Sequence, residues 1–183
     1  KADTMVEKSM DNWEVSLVED RFLKLKINDD YQNMINKESN KFDKESKDKH
    51  QEAKWLIKNL RERSITIIRV SRAIMKNQNE FLNKGKLFLK PLILKNIAEE
   101  LDLHESTISR VTTNKFISTP HGIFELKYFF GSTIKNKNGN DLSSKAILFR
   151  IKELIKNEKS ANPFSDEQLS ILLKDEGIQV ARR

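Results

Sequence analysis

The sequence predicts an all-α chain: a helical bundle subdomain, then a helix-turn-helix subdomain, then a partial second helix-turn-helix domain. Three observations carry this. Apolar residues in the middle of the chain recur at helical spacing, as in Ala53, Leu56, Ile57 and Leu60, and again in Ile67, Val70, Ile74 and Phe81. Residues 94–115, LKNIAEELDLHESTISRVTTNK, read as two short amphipathic helices about a tight turn. Near the C-terminus Leu169, Leu172, Leu173, Gly177 and Ile178 look like the first half of a second such pair.

Taken in order, residues 1–10 are polar and patternless and read as a loose terminus. Residues 12–27, NWEVSLVEDRFLKLKI, alternate at Trp13, Val15 and Leu17 and again at Leu23, Leu25 and Ile27. The acid and base between the two halves interrupt that period, so the expectation is an irregular segment lying along a helical body, with Trp13 as a packing anchor. Tyr31 to Asn36 makes a short helical element, and Lys37 to Lys49 is too charged to bury much. Gln51 to Arg63 is a clear amphipathic helix. Ser64 is expected to separate it from a second long helix that packs back antiparallel and stops at Gly85. Residues 1–84 form the first expected subdomain.

Residues 85–131 form the second. Pro91 suits the first turn of a helix leading into the pair. On the first helix Ile97, Ala98 and Leu101 form the inner stripe, with Ala98 small where the helices cross; Leu103 lies under the turn, and Ile108 and Val111 point inward from the second. Asp102 stands where glycine is commonest, and aspartate tolerates a left-handed backbone better than most residues. At about 100° per residue, Ser106, Arg110 and Thr113 fall opposite Ile108 and Val111, with Ser109 beside them. An arginine can take two acceptors from a guanine edge, and hydroxyls can anchor phosphates. An ordinary helical hairpin with a solvated Arg110 would show the same pattern. Thr119, Pro120 and Gly122 then stop any helix, and IFELKYFF, residues 123–130, reads as an aromatic piece closing the open side of the pair.

Residues 132–142 are polar, flexible and basic, and read as a linker. Residues 143–183 open the last domain. Ser143 to Glu158 is amphipathic, with Ile147, Ile151, Leu154 and Ile155 inward. Ser165 and Gln168 have capping-box spacing ahead of a helix closed by Gly177. A reading helix would start near Val180. That unfinished pair, and Lys1 in place of Met, make the chain read as a fragment.

Composition bounds the function. Lys and Arg outnumber Asp and Glu by 34 to 27, a formal charge of +7, which favours a polyanionic partner. With no cysteine there is no disulfide or thiolate zinc, and a reducing cytoplasm suits the chain. No apolar run reaches the roughly 18 residues of a membrane span, and no signal peptide opens the sequence. His50, His104 and His121 are too dispersed for metal-ligand spacing, and the five glycines form no phosphate loop. The expectation is no enzyme, no catalytic residue, no metal and no cofactor.

HESTISRVTTNKFISTPHGIFELKYFF, residues 104–130, resembles the most recognisable block of the sigma-54 (sigma-N) transcription factors of bacterial RNA polymerase. QEAKWLIKNLRER resembles the core-binding region of that family, and GIQVARR the opening of its C-terminal RpoN box. The likeness runs from Trp13 to the end. It implies a subunit that binds core RNA polymerase, directs it to promoters with GG and GC elements, and waits there for an ATP-dependent activator. It places Gln51, Glu52, Lys54, Trp55, Lys58 and Arg61 in polymerase contact. It also implies DNA contact by Ser106, Ser109, Arg110, Thr113 and Lys115 at the GC element and by Arg182 and Arg183 at the GG element. The glutamine-rich region that meets the activator and most of the box lie outside this sequence. No membrane is implied, and the place of work would be the bacterial cytoplasm, at the nucleoid.

The alternative is a stand-alone helix-turn-helix regulator with a helical dimerisation domain. It shares the basic charge and the helix pair. Association with core polymerase separates the two readings.

Overall fold

The structure is a computed structural model that describes residues 1–10, 12–18, 25–28, 30, 33–34, 44–131, 133–134, 142–158, 163–176 and 178. Two strands come first, β1 (Thr4–Ser9) and β2 (Asn12–Leu17), paired antiparallel with Val6 opposite Val15. Helix α1 (Lys44–Asn77) and the short α2 (Asn79–Lys84) follow, then the pair α3 (Leu94–Leu101) and α4 (Glu105–Thr112). Strands β3 (Phe116–Thr119) and β4 (Gly122–Glu125) form a hairpin that runs into a 3-10 turn at Leu126–Phe129. A small ladder of β5 (Thr133–Ile134) and β6 (Leu142–Ser143) leads to α5 (Ser144–Lys156) and α6 (Asp166–Asp175).

The chain is therefore not all-α. Strands β1 to β4 form one mixed sheet in the order β2-β1-β3-β4, with β1 parallel to β3. Thr4 and Val6 are buried from β1 and Val15 from β2, so the residues read as a loose terminus and an irregular segment are half-buried strands. Their period is only two buried positions long, and the edge that completes them, Ile117 and Ser118, lies more than a hundred residues on. Thr119, Pro120 and Gly122 do stop a helix, but they do so as a hairpin turn. The Thr119 hydroxyl donates to the Gly122 carbonyl (2.8 Å) and accepts the His121 N–H (3.2 Å), and Gly122 takes φ 117°.

The second correction concerns α1. It is one unbroken helix of 34 residues rather than an antiparallel pair. Ser64 does not end it, because its hydroxyl donates to the Leu60 carbonyl (2.9 Å) one turn back, as Thr66 does to Glu62 (2.8 Å). The break comes at Gln78, which is fully buried with both ends of its amide used. It donates to the Lys90 carbonyl (2.8 Å) and accepts the Lys90 N–H (3.0 Å), which satisfies the chain where α1 gives way to α2. Among the described residues no helix folds back on the first half of α1, and Trp55, Leu56, Leu60 and Ile65 are exposed.

The main core collects Val6 and Val15 from the sheet, Val70 and Ile74 from α1, and Ile97, Ala98 and Ile108 from the helix pair. Phe81 sits at its centre, fully buried, with edge contacts to Phe129 (5.3 Å between centroids) and Phe124 (5.5 Å). Leu126 and Phe129 confirm residues 123–130 as the closing piece, although Ile123 stays exposed. This core crosses the boundary drawn from sequence at residues 84 and 85, and it reaches Ala146 on α5. A smaller cluster of Ile147, Leu173 and Ile178 joins α5 to α6. The capping box of α6 is present, with Ser165 and Gln168 bonded both ways (3.3 and 2.9 Å). Tyr31, Leu23, Val180, Arg182, Arg183 and most of residues 132–142 lie outside the described residues.

Candidate nucleic-acid interface

The pair α3 and α4 turns on Asp102, which adopts a left-handed backbone, φ 53° and ψ 51°. That conformation lets the Leu103 N–H return to the Ala98 carbonyl (2.9 Å) and close the first helix. Ile97, Ala98 and Ile108 are buried between the helices, while Leu101, Leu103 and Val111 pack at the edge of the same core. From below, Arg69 of α1 donates to the Leu101 carbonyl (3.2 Å), and Glu100 accepts from Lys76 (3.0 Å) and Asn77 (3.1 Å). The long helix thus holds the last turn of α3 in place. Sequence reasoning did not find Arg69, whose partner is 32 positions away.

His104 caps α4. Its Nδ1 accepts the Ser106 N–H (3.2 Å) and stands 2.8 Å from Ser106 Oγ, so an exposed imidazole and an exposed hydroxyl share the N-terminus of the helix. Histidine is not among the common capping residues, and the dispersal of the three histidines drew attention to metal spacing instead. Ser106, Arg110 and Thr113 are exposed along one face, and Ser109 is half-buried beside them. The Arg110 guanidinium makes no hydrogen bond or ion pair among the described residues. The Thr113 hydroxyl donates to the Ser109 carbonyl (2.8 Å), which leaves its oxygen as an acceptor. At the far end Asn114 takes φ 54°, with its N–H on the Glu125 carboxylate (2.9 Å).

Lys115 differs from the other four. Its ammonium lies 3.4 Å from the Asp3 carboxylate, and both side chains are largely covered. It faces the sheet rather than the open face of α4. At the start of α3, Lys95 and Asn96 are exposed on the first turn, which has no side-chain cap; the Lys95 ammonium lies 3.8 Å from the Glu99 carboxylate and the Asn96 N–H donates to the Ile93 carbonyl (3.2 Å).

On the first half of α1, Gln51, Glu52, Trp55, Lys58 and Arg61 are exposed and Lys54 is half-buried. Trp55 is 65% exposed, and among the described residues the i,i+4 contact of Lys58 with Glu62 (3.9 Å) is the one ion pair of the series. This surface carries charge and apolar area together. Among the described residues no cluster of acids and histidines could hold a metal ion, and no helix is long and apolar enough to cross a membrane.

Comparison with known proteins gives a consistent picture. A family profile described as "Sigma-54, DNA binding domain" matches residues 43–183. The chain is 45% identical over 182 residues to the RNA polymerase sigma-54 factor of Escherichia coli and 47% identical over 182 residues to that of Acinetobacter guillouiae. Each match covers 99% of this chain and 38% of the relative, so the chain spans about two fifths of their length. Among solved structures it is similar to Aquifex aeolicus sigmaN bound to promoter DNA, with a TM-score of 0.57 and 30% identity. That match covers 99% of this chain and 54% of the other.

Proposed function

The chain belongs to the sigma-54 DNA-binding domain family, and we propose that it is the promoter-reading part of a sigma factor that also carries a polymerase-docking helix. The observation that supports this most is the face of α4, where Arg110, without a hydrogen bond or ion pair among the described residues, stands between Ser106, Ser109 and Thr113 on a helix packed into the main core through Ile108. A fixed helix lets a guanidinium meet two acceptors of a guanine edge at once, which a mobile one cannot do reliably. Arg110 reads a base at the GC element, and Ser106, Ser109 and Thr113 hold the adjacent backbone. Lys95, Asn96 and His104 add phosphate contacts at the two helix N-termini. Lys115, tied to Asp3, positions the end of α4 and contributes charge at a distance. Arg182 and Arg183 serve the GG element.

Core RNA polymerase docks on the first half of α1 through Gln51, Glu52, Lys54, Trp55, Lys58 and Arg61. An ATP-dependent activator acts on the complete protein. The role is binding and positioning rather than catalysis, carried out on DNA in the bacterial cytoplasm.

The test has two arms. Promoter DNA carrying GG and GC elements competes with DNA in which those bases are replaced, at one fixed salt concentration. Each replaced pair should weaken binding by about 1–3 kcal/mol. A pull-down with core polymerase at two salt concentrations accompanies it. Equal binding to every DNA would reduce the interface to phosphate attraction. A chain that prefers the promoter but never associates with polymerase would be a stand-alone regulator.

A further inference from the structure

Lys145 lies in the first turn of α5 and reaches back to the body that carries the helix pair. Its ammonium donates to the carbonyls of Tyr128 and Phe130, the latter at 2.8 Å, and stands 4.6 Å from the centre of the Tyr128 ring. Those carbonyls belong to the end of the 3-10 turn, where backbone acceptors lack partners of their own and a cation is favoured. Burial lowers the Lys145 pKa, and the nearby Glu125 carboxylate opposes that shift.

The surroundings make this contact a junction. Ala146 belongs to the main core, and Ile147, the next residue, belongs to the cluster that joins α5 to α6. The chain passes from one core to the other in a single step. Gly131 donates to the Leu92 carbonyl (3.1 Å) and lies beside the start of α5, where an added Cβ would make only ordinary contact with Ser143 Oγ (3.6 Å) and Lys145 Cε (3.9 Å). A second lysine answers from the other side: Lys86 Nζ lies 5.3 Å from the Phe124 ring and 5.6 Å from the Phe149 ring of α5. The two contacts differ in kind. Lys86 meets only ring faces, which accept a range of positions, whereas Lys145 meets two directed carbonyls that fix one.

We propose that Lys145 is the clasp that fixes the angle between the helix pair α3–α4 and the unit α5–α6, and so sets the separation at which the two can meet DNA together. The DNA consequence rests on the reading that both units bind promoter elements; the clasp itself does not. Lys145 is a positioning residue, since its ammonium is engaged by carbonyls of its own chain.

The absence of cysteine makes the test direct. Nitroxide labels on Glu99→Cys of α3 and Lys152→Cys of α5, both exposed positions, report the distance between the two units in the intact chain. The parent should give one narrow distance distribution. Lys145→Met keeps the length of the side chain and removes its donors, and should give a broad distribution at an unchanged unfolding midpoint. Lys145→Arg restores donors and should narrow it again. A Lys145→Met chain with the parent's narrow distribution would overturn the clasp.

A binding arm uses the full-length sigma factor and promoter DNA with the two elements moved one base pair apart or together. The parent should lose about tenfold in affinity for the shifted DNA, a step within the range of one mismatched pair, and Lys145→Met should lose much less. Equal losses in both chains would overturn the proposed consequence for spacing. A parent with no promoter preference at all would overturn the functional reading instead, and the distance distributions would still decide the clasp.

Discussion

The Asp3 carboxylate accepts the backbone N–H of Phe116 at 2.9 Å, across 113 positions of sequence. Its other oxygen meets Lys115 at 3.4 Å, its own N–H donates to the Phe116 carbonyl (2.8 Å), and its carbonyl accepts from Val18 (3.0 Å). One buried residue therefore ties the start of β1 to the end of β2 and to the segment that leaves α4. Asp3→Ala should cost about 1–3 kcal/mol of stability, because it removes the acceptor of a part-buried amide and leaves a largely covered lysine without its partner. Asp3→Asn keeps an acceptor for the amide and should cost less. Urea unfolding of the three chains checks this, and an Asp3→Ala chain as stable as the parent would mean that the strand is held by its ladder alone.

Ala98 is 4% exposed where α3 crosses α4, and its carbonyl accepts the N–H that closes the turn. Ala98→Leu inserts three carbons into that crossing and should cost about 1–3 kcal/mol. Ala98→Gly opens no large hole but loosens the helix, at a cost of about 1 kcal/mol. Thermal unfolding measures both. The larger residue should be the worse of the two, and the reverse order would show that the crossing has room.

These two sites mark what was readable in the sequence and what was not. The helix pair was legible because everything it needs lies within twenty-two residues: the stripe of Ile97, Ala98, Ile108 and Val111, and an aspartate that accepts φ 53°. The sheet was not, since Thr4 and Val6 give β1 only two buried positions and its parallel partner is β3. The same distance hid the partner of Lys115. Nothing near it in sequence announces that Asp3 holds it. For α1 the apolar stripe was right and the partner was wrong: amphipathic spacing says that a face is apolar but not what covers it. Between Gln51 and Lys84 no glycine or proline stands that could have broken the helix.

Arg110 and Lys95 should separate the two kinds of DNA contact. Arg110→Ala removes a bidentate reader and should weaken promoter binding by about 1–3 kcal/mol while relaxing preference at one base step. Lys95→Ala removes a backbone contact and should weaken promoter and random DNA alike, with the salt slope falling by about one unit. Titrations on both DNAs at several salt concentrations give the comparison. If Arg110→Ala loses equally on specific and random DNA, the guanidinium meets a phosphate.

The last prediction turns on the uncovered face of α1. Leu56 is 51% exposed, Leu60 37% and Trp55 65%, on the half of the helix that no other described element packs against. Had this stripe been buried against an antiparallel helix, cutting each leucine to a polar residue would cost about 2–5 kcal/mol. On an exposed face the cost should be about 0.5 kcal/mol or less apiece. The double change Leu56→Ser with Leu60→Ser should therefore leave the unfolding midpoint almost where it was. Binding to core polymerase should respond quite differently. If this face is where polymerase docks, removing its apolar centre should weaken association, and Trp55→Ala should do so by about 2 kcal/mol or more, as large aromatic anchors do at interfaces. Charge alone would behave otherwise: Lys58→Ala with Arg61→Ala should mainly slow association and lower its salt dependence. Measuring unfolding and polymerase affinity on the same chains keeps the two effects apart. A stable Trp55→Ala chain that binds polymerase as tightly as the parent would move the docking surface off the first half of α1, and unfolding of the leucine double variant would restore the buried pair that the sequence predicted.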